Sequence, residues 1–348
     1  MRFALTDDQI TLRDAVGDLL AAECPPAVVR AAWPGGGHKP VDRLWAALAE
    51  MGVLAAMVPE SAGGLGLTEV DMVPVLTAAG YAAVPLPLAE TAAVAGPLLA
   101  ALDDPGGHLA ALTEGRCRIA LAGPTGLVPY GQRADLALST YGPGGPRLIR
   151  LAGATTIAVP TVDGSRAALR IIDDDVADPS VSTRLDVGDD LLALTADRAT
   201  LAAAAHLVGL GRRLLDLTVA HVGTRHQFGA PIGSFQAVKH QLADALLGLE
   251  LAAPMVLAAA WSAATGAATR AADVSAGYLL ASDAAERTAR VALQCHGAIG
   301  YTVEYDLHLY AKRVWATSAA TAGTDAHLDR LGTALGLPAA TTDPGGRP

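Results

Sequence analysis

The segment "RHQFGAPIGSFQAVKHQLAD", residues 225–244, carries polar and aromatic side chains around a Gly-Ala-Pro turn between two predicted helices. Its candidate ligand-binding side chains are Arg225, Gln227, Phe228 and Gln236. An arginine guanidinium binds phosphate oxygens through paired hydrogen bonds. A phenylalanine ring either supports a bound planar group or packs in the core. The residue types alone therefore allow an anion-binding loop, or a turn with a solvated arginine and a residue that starts the next helix.

A second candidate segment, "QCHGAIG", covers residues 294–300 and follows a predicted helix. Gly297 and Gly300 have no side chain, so the backbone can approach a ligand closely there. Gly297 is equally well explained as the residue that ends the helix. The histidines at positions 226, 240 and 296 share no metal-ligand spacing, and we expect no metal site.

Composition narrows the class of protein. The chain has 348 residues and a formal net charge of -10, which gives no basic surface for nucleic acid. Three widely spaced cysteines favour neither a disulfide framework nor a zinc site. The polar start lacks the apolar core of a signal peptide, and no apolar run reaches the roughly 20 residues of a membrane helix. We therefore expect a cytoplasmic protein.

The periodicity of apolar residues divides the chain into zones. Residues 1–112 read as a helical domain, with Thr6 as the N-cap of its first helix. Residues 113–192 contain short, β-branched or alternating runs between Gly/Pro turns, which predict a small antiparallel β-domain. Residues 193–335 predict a four-helix bundle whose first helix is apolar on two sides. Residues 336–348 read as a disordered tail. The fold class is α+β, mainly α.

This order of zones, together with four quoted motifs, resembles the acyl-CoA dehydrogenases. The resemblance covers about residues 1–335 and is carried by "FALTDDQITLRDAV", "LAEMGVLAAMVPESAGGLGLT", "TRHQFGAPIGSFQAVKHQLAD" and "QCHGAIGYTVEYDLHLYAKR". The family desaturates acyl-CoA thioesters between Cα and Cβ with FAD. It implies an acyl-CoA substrate, an electron-accepting flavoprotein and an oligomer in which each chain contacts the FAD of a neighbouring subunit.

The resemblance assigns roles to both segments. The loop arginine and the glutamine eleven residues later, which match Arg225 and Gln236, would contact the neighbour's FAD. The glycine-rich segment would lie along the pyrophosphate and adenosine of the same FAD. The full set of cofactor-binding residues expected from the resemblance is Arg225, Gln227, Phe228, Gln236, Gln294, Cys295, His296, Gly297, Ala298, Gly300 and Thr324.

The sequence departs from the family at the catalytic base. Many members carry a Glu directly before Gly-Thr, where this chain has Ala322 before Gly323-Thr324. Other members carry the base near the start of the first bundle helix, where the match falls near Ala199. Asp197 is the candidate there, although an acid at a helix start also serves as a cap. Asp306 and Arg313 are expected to make intramolecular contacts.

A second departure lies in the β-domain. Family members hold the flavin ring with a Thr-Glu-Pro…Gly-Ser-Asp segment, but this chain has "LAGPTGLVPYGQRADL", in which only Thr125 could stand in. The four tryptophans all lie outside the β-domain. The chain thus keeps the residues that it would lend to a neighbour and lacks much of its own flavin-ring pocket.

This pattern of kept and missing FAD-site residues resembles that of some actinobacterial acyl-CoA dehydrogenases, including those acting on steroid side chains. In these enzymes two different chains form a two-plus-two heterotetramer. The leading interpretation is the base-lacking subunit of such an enzyme. A self-sufficient dehydrogenase that uses Asp197 as base, and a non-redox lyase or binding protein on this scaffold, remain alternatives. The acyl group, fatty, steroid or other, stays open.

Overall fold

A computed structural model describes residues 4–142, 144–172, 178–320 and 323–337 of the chain. The predicted disordered tail lies, from residue 338 onward, outside these described residues. The structure is mainly helical with a small central sheet region, as predicted. The domain boundaries at residues 112, 192 and 335 stay predictions.

Short helices form the N-terminal part. The first begins with a capping box, because Thr6 Oγ1 accepts from the Gln9 amide at 3.2 Å and Gln9 Oε1 accepts from the Thr6 amide at 3.0 Å. A π-helical turn, Glu90–Ala95, runs directly into α5. The helices are α1 (Asp7–Glu23), α2 (Pro26–Ala31), α3 (Lys39–Glu50), α4 (Glu69–Tyr81), α5 (Gly96–Ala101) and α6 (Leu109–Thr113).

The central region contains two small sheets, with strand orders β1-β3-β4-β7 and β2-β6-β5. The strands are β1 (Ile119–Ala122), β2 (Leu127–Val128), β3 (Leu136–Ser139), β4 (Arg147–Arg150), β5 (Thr156–Val159), β6 (Ala168–Ile171) and β7 (Ser182–Arg184).

One strand pair corrects the expectation of purely antiparallel pairing. Strands β1 and β3 are parallel, with Ile119 opposite Leu136, while the other pairs in the two sheets are antiparallel. After β1 the chain crosses into the second sheet through β2 and returns through a 3-10 turn. That excursion, residues 123–135, supplies the crossover that a parallel pair needs, without a helix.

The C-terminal part is a bundle of long helices joined by a short hairpin. Most of the two predicted apolar stripes of the first helix are buried, including Leu207, Leu214 and Leu215, but Val219 is 52% exposed. The elements are α7 (Asp189–Thr224), β8 (His226–Gln227), β9 (Ala230–Pro231), α8 (Gln236–Ala264), α9 (Arg270–His296), α10 (Leu307–Ser318) and α11 (Thr324–Ala334).

Helix α7 ties the N-terminal helices to the bundle at two glycines. A Cβ built on Gly80 of α4 would lie 2.3 Å from the His206 carbonyl oxygen, and one on Gly209 would lie 2.0 Å from the Thr77 carbonyl oxygen. Only glycine lets the two backbones approach this closely. The main core consequently runs without a break from the N-terminal helices into the bundle, while smaller cores lie beneath and between the two sheets.

Two described helices are long and apolar enough to cross a membrane by length and composition alone, which the sequence reading did not expect. Over their most apolar 18 residues, α7 and α8 have mean hydropathies of 1.3 and 1.7. Buried core helices of soluble proteins share this length and composition. Half of that stretch is buried in α7, but only 28% in α8. Burial accounts for the composition of α7 and leaves the apolar surface of α8 to be explained.

Candidate functional site

Arg225 lies at the point where α7 ends and the chain enters the β8–β9 hairpin. Its amide donates to the His221 carbonyl at 2.9 Å, and its carbonyl accepts from the Ile232 amide at 2.8 Å. The backbone is therefore fixed on both sides. The side chain is exposed, and its guanidinium has no hydrogen-bond or ion-pair partner within the described part of the chain. This arginine is available to an anion from outside.

Phe228 occupies the tip of the hairpin, with φ 52° at Phe228 and φ 81° at Gly229. Positive φ at both turn positions is the pattern of a type I′ hairpin turn, and it costs a phenylalanine about 1–3 kcal/mol. The side chain is 94% exposed and touches Phe235 edge-on, with ring centroids 6.2 Å apart. The core-packing alternative for Phe228 is therefore wrong.

The two glutamines lie on the same exposed surface. Gln227 belongs to strand β8, and Gln236 is the first residue of α8, after the N-cap Phe235. The side-chain amide nitrogen Nε2 of Gln236 lies 3.5 Å from Nε2 of His240, one helical turn later. Both side chains are exposed, so the four predicted residues of this segment point to solvent.

The glycine-rich segment begins where α9 ends. Gly297 has φ 62° and ψ -140°, a conformation that glycine favours, and its amide donates to the Leu293 carbonyl. Nothing lies within 4 Å of the place where a Cβ would stand. Gly297 thus ends the helix, and it also leaves its backbone open to approach by a ligand. Gly300 differs, because it is buried and its would-be Cβ lies 3.1 Å from Cβ of His296.

The remaining predicted residues of this segment are not equivalent. Gln294 and Ala298 are exposed, and Cys295 is half-buried. His296 is only 6% exposed, so its ring is not available for direct contact with a ligand. The sequence pattern gave no sign of this, because a histidine beside two glycines reads as part of a polar loop.

An aromatic contact joins the two segments. The rings of His221 and His296 stack with centroids 4.2 Å apart and planes 21° apart. Tyr305 packs against His296 with a centroid separation of 5.0 Å. The structure therefore brings the end of α7, with Arg225, beside the end of α9, with Gly297. The sequence reading missed His221.

Ala322, at the position where the resemblance expects the usual base, lies outside the residues that the structure describes. Thr324 is the first residue of α11 and is exposed, after Gly323 with φ 89°. No carboxylate replaces the missing one at position 322, because alanine carries none.

Asp197 is a buried mid-helix residue, which corrects the expectation that it starts a helix. Helix α7 begins eight residues earlier, at Asp189, and the Asp197 side chain is 0% exposed. Arg270 Nε donates to its Oδ2 at 2.7 Å, and Arg330 Nη2 donates to its Oδ1 at 2.6 Å. Both carboxylate oxygens are held by cations from α9 and α11. The arrangement suits a structural lock between three helices.

The β1–β2 turn is closed upon itself. The Gly123 amide donates to the Leu127 carbonyl at 2.8 Å, and the Gly126 amide donates to the Gly123 carbonyl at 3.0 Å. The Gly126 carbonyl accepts from the Ile171 amide at 2.9 Å. These backbone donors serve the turn itself, and Thr125 stands exposed beside them.

A buried ionic cluster links the central region to the bundle. Arg313 forms an ion pair with Asp163 and donates to the Val84 carbonyl at 2.9 Å and to Ser165 Oγ at 2.6 Å. Arg166 donates to the Ala316 carbonyl at 2.7 Å. The predicted intramolecular role of Arg313 is confirmed. Asp306, which pairs with Arg30 at 2.7 Å, also has the predicted role.

Burial shifts the protonation of groups around this cluster. It lowers the pKa of His206 to about 4, with Arg313 and Arg166 acting in the same direction. It raises the pKa of Glu90, against the effect of the Arg166 charge. For Asp163, burial alone would raise the pKa, but Arg313 and the Ser165 hydrogen bond leave it lowered. The interior thus favours a neutral imidazole and an ionised Asp163.

Helix α8 carries exposed apolar side chains. Along α8, Leu246, Leu247 and Leu251 are 46%, 58% and 59% exposed. We call these three leucines, with Phe235, the α8 face. Exposed large apolar side chains grouped on one helix are a candidate interaction surface. It also explains the apolar yet poorly buried composition of α8.

Comparison with known proteins identifies the family. Residues 6–102 match the acyl-CoA dehydrogenase N-terminal domain, and residues 191–333 match the acyl-CoA dehydrogenase C-terminal domain. Acyl-CoA dehydrogenase IpdE2 of Mycobacterium tuberculosis is 34% identical over 315 residues, covering 88% of this chain and 91% of that protein. Acyl-CoA dehydrogenase IpdE2 of Mycolicibacterium smegmatis is 36% identical over 312 residues, covering 89% and 93%.

The fold agrees with these matches. A chain in the crystal structure of the ChsE4-ChsE5 complex from Mycobacterium tuberculosis superposes with a TM-score of 0.82 at 25% identity, covering 98% of this chain and 100% of that one. The two domain matches, the two relatives and the shared fold all indicate the same family. The chain therefore belongs to the acyl-CoA dehydrogenase family, whose members are FAD-dependent oxidoreductases.

Proposed function

We propose that this chain is the base-lacking subunit of a two-plus-two acyl-CoA dehydrogenase, in which it completes the FAD site of a different, catalytic chain. The complex desaturates acyl-CoA thioesters between Cα and Cβ. The observation that carries the proposal is the exposed Arg225 hairpin, whose guanidinium has no partner in the described residues, on a chain whose own flavin-ring turn is closed.

The residues that this chain would contribute to the partner's FAD site suit a dinucleotide. Arg225 offers a bidentate donor for pyrophosphate oxygens, and Gly297 offers open backbone. Gln227 and Gln236 supply amide groups, and the exposed ring of Phe228 can cover a flat part of the ligand. Bound FAD supplies the hydride acceptor for the desaturation. This chain's residues hold and orient the part of FAD that lies at the subunit boundary.

The other half does not suit the flavin ring. In the "LAGPTG" turn, backbone donors of Gly123 and Gly126 are used within the turn. No tryptophan lies in the central β-region. The chain lends cofactor contacts and lacks those that it would need to hold a flavin ring itself.

The missing catalytic base is the second reason to propose a partner chain. Proton removal from Cα needs a carboxylate with a free oxygen, and loss of a general base costs about 10²–10⁴-fold in rate. Position 322 is alanine. Asp197 has both oxygens bound by Arg270 and Arg330. We therefore assign the base to the partner chain.

The partner is expected to cover the α8 face. Leu247 and Leu251 lie on α8 with more than half of their surface exposed, and a second apolar bundle would bury them. The fold neighbour from the ChsE4-ChsE5 complex comes from an assembly of two named proteins, which supports a heteromeric arrangement. We place the complex in the cytoplasm and expect an electron-accepting flavoprotein to re-oxidise its flavin.

Reconstitution tests this function. The chain is purified alone and together with a second acyl-CoA dehydrogenase chain that carries a Glu base and a Thr-Glu-Pro segment. Desaturation of an acyl-CoA by the pair, and none by either chain alone, is the expected result. Turnover by this chain alone would replace the proposal with a self-sufficient dehydrogenase. A colourless oligomer of this chain that binds a thioester without a partner would indicate a non-redox protein.

A further inference from the structure

The His221–His296 stack connects two segments that are 75 positions apart in the chain, and each segment carries a proposed contact to the partner's FAD. The near-parallel rings, with centroids 4.2 Å apart, form a direct contact between the end of α7 and the end of α9. The His296 side chain is buried, and that of His221 is half-buried. The stack matters because of the residues that follow each histidine: Gly297 comes directly after His296, and Arg225 comes four positions after His221.

The ring of His296 is held in one tautomer. Nδ1 lies 2.7 Å from the Ala292 carbonyl oxygen, which can only accept, so Nδ1 carries the hydrogen in the neutral ring. Nε2 is buried without a hydrogen-bond partner among the described residues. A proton at Nε2 would place a positive charge on a buried nitrogen that has no acceptor and that faces a second imidazole. The stack therefore requires a neutral His296.

The glycine-rich turn begins at the residue after His296 and packs against the Cβ of that histidine. The would-be Cβ of Gly300 lies 3.1 Å from Cβ of His296, whereas Gly297 has open space around it. Gly297 has no side chain to fix its position. Gly297 directly follows His296, the last residue of α9, and the His221 ring packs against the His296 ring at this helix end.

His221 also sets the exit of Arg225 from the helix. The His221 carbonyl accepts from the Arg225 amide at 2.9 Å in the last helical hydrogen bond of α7. Its backbone thus fixes one cofactor-contacting residue, and its ring fixes the other segment. The other groups facing the stack are Tyr305, which packs against both rings, and behind it the charges of Asp306 and Arg213.

We propose that His221 is a positioning residue for the partner's FAD, which holds the Gly297 backbone and the Arg225 loop at a fixed separation through its stack on His296. The inference rests on the proposed function and adds a residue and a pH dependence to it. Burial lowers the pKa of both histidines, and Arg225 lowers that of His221 further. Both rings are therefore neutral at pH 7.5, and acid below about pH 6.5 works against the stack.

FAD affinity of the assembled complex, measured by fluorescence titration between pH 8 and pH 5.5, tests the proposal. His221→Ala removes the ring and should weaken FAD binding about three- to tenfold at pH 7.5, the amount expected for one aromatic pair. His221→Phe keeps a stacking ring that cannot be protonated. It should bind FAD within twofold of wild type at pH 7.5 and lose less affinity at pH 5.5. His38→Ala, at the exposed N-cap of α3, is the control.

Hydrogen exchange of residues 297–301 in the same complexes supplies a readout that does not depend on FAD. Faster exchange there in His221→Ala, with restoration in His221→Phe, is expected. Unchanged FAD affinity and unchanged exchange in an intact His221→Ala complex would overturn the positioning role. If Arg225→Ala weakens FAD binding while His221→Ala does not, only this inference fails. If neither substitution weakens it, the proposed function fails as well.

Discussion

Arg225 combines a fixed backbone with a free guanidinium. Replacing it with alanine removes a charged hydrogen-bond donor, which contributes about 1.5–3 kcal/mol. Arg225→Ala should therefore weaken FAD retention by the complex about ten- to hundredfold, as followed by flavin release on dialysis. Arg43→Ala, which removes a 74% exposed arginine of α3, is the matched control. Equal flavin retention in both variants would remove Arg225 from the site.

Asp197 gives the opposite case, in which a carboxylate is fully engaged. Asp197→Asn leaves Arg270 and Arg330 without a counter-charge. Because both arginines are partly exposed, we expect a loss of about 1–3 kcal/mol in the free energy of unfolding. Turnover per folded complex should stay within a few-fold of wild type. A hundredfold loss of turnover with unchanged urea unfolding would instead make Asp197 a catalytic base.

The contrast between these residues shows what spacing can predict. Arg225, Gln227 and Gln236 belong to one continuous motif, and their exposure follows from a hairpin between two helices. Asp197 meets Arg270 and Arg330 across 73 and 133 positions, so no local pattern reveals its partners. His221 escaped notice for the same reason, since its contact with His296 exists only after α7 and α9 have packed together.

At the scale of elements, helix and strand positions followed from period and turn residues, but strand direction did not. Alternating residues in β1 and β3 fit a parallel pair as well as an antiparallel one. Direction was decided by the excursion through β2, which depends on tertiary packing. In the same way, the apolar composition of α8 predicts a buried helix, whereas this chain alone leaves Leu247 and Leu251 uncovered.

The contact between α4 and α7 depends on missing side chains. Gly209→Ala places a methyl group 2.0 Å from the Thr77 carbonyl oxygen, so the helices must separate. We expect a loss of about 1–3 kcal/mol in the free energy of unfolding, measured by urea denaturation. Gly17→Ala in α1, where nothing lies within 4 Å of the new atom, should instead gain about 0.5–1 kcal/mol. Equal effects of the two changes would contradict the packing described.

For the molecule as a whole, the lowered pKa values of His206 and Asp163 predict acid sensitivity of the fold. The pKa of His206 falls from its ordinary 6.5 to about 4 on folding, so the unfolded chain binds the proton more readily. Its neutral form supports the fold above pH 6.5, and that support is lost as the pH falls from 6.5 towards 4. The lowered pKa of Asp163 adds a further loss at pH values below its ordinary 3.8.

Thermal unfolding between pH 7.5 and pH 4.5 checks this dependence. The melting temperature should fall steadily in the wild type and less steeply in His206→Gln, which cannot take up the proton. His226→Gln, with its exposed ring, should follow the wild type. A His206→Gln profile as steep as the wild type would remove His206 as the source of the acid sensitivity.

The whole assembly is the level at which the two halves of the cofactor site meet. In the proposed complex, one chain lends Arg225 and the Gly297 turn, and the other holds the flavin ring and the base. The measurement that tests this division most directly is the FAD content of purified protein, from absorbance at about 450 nm against protein concentration, with the chain alone and with its partner. The account predicts a colourless lone chain and one FAD per pair of different chains. One FAD per protomer in the chain purified alone would contradict it.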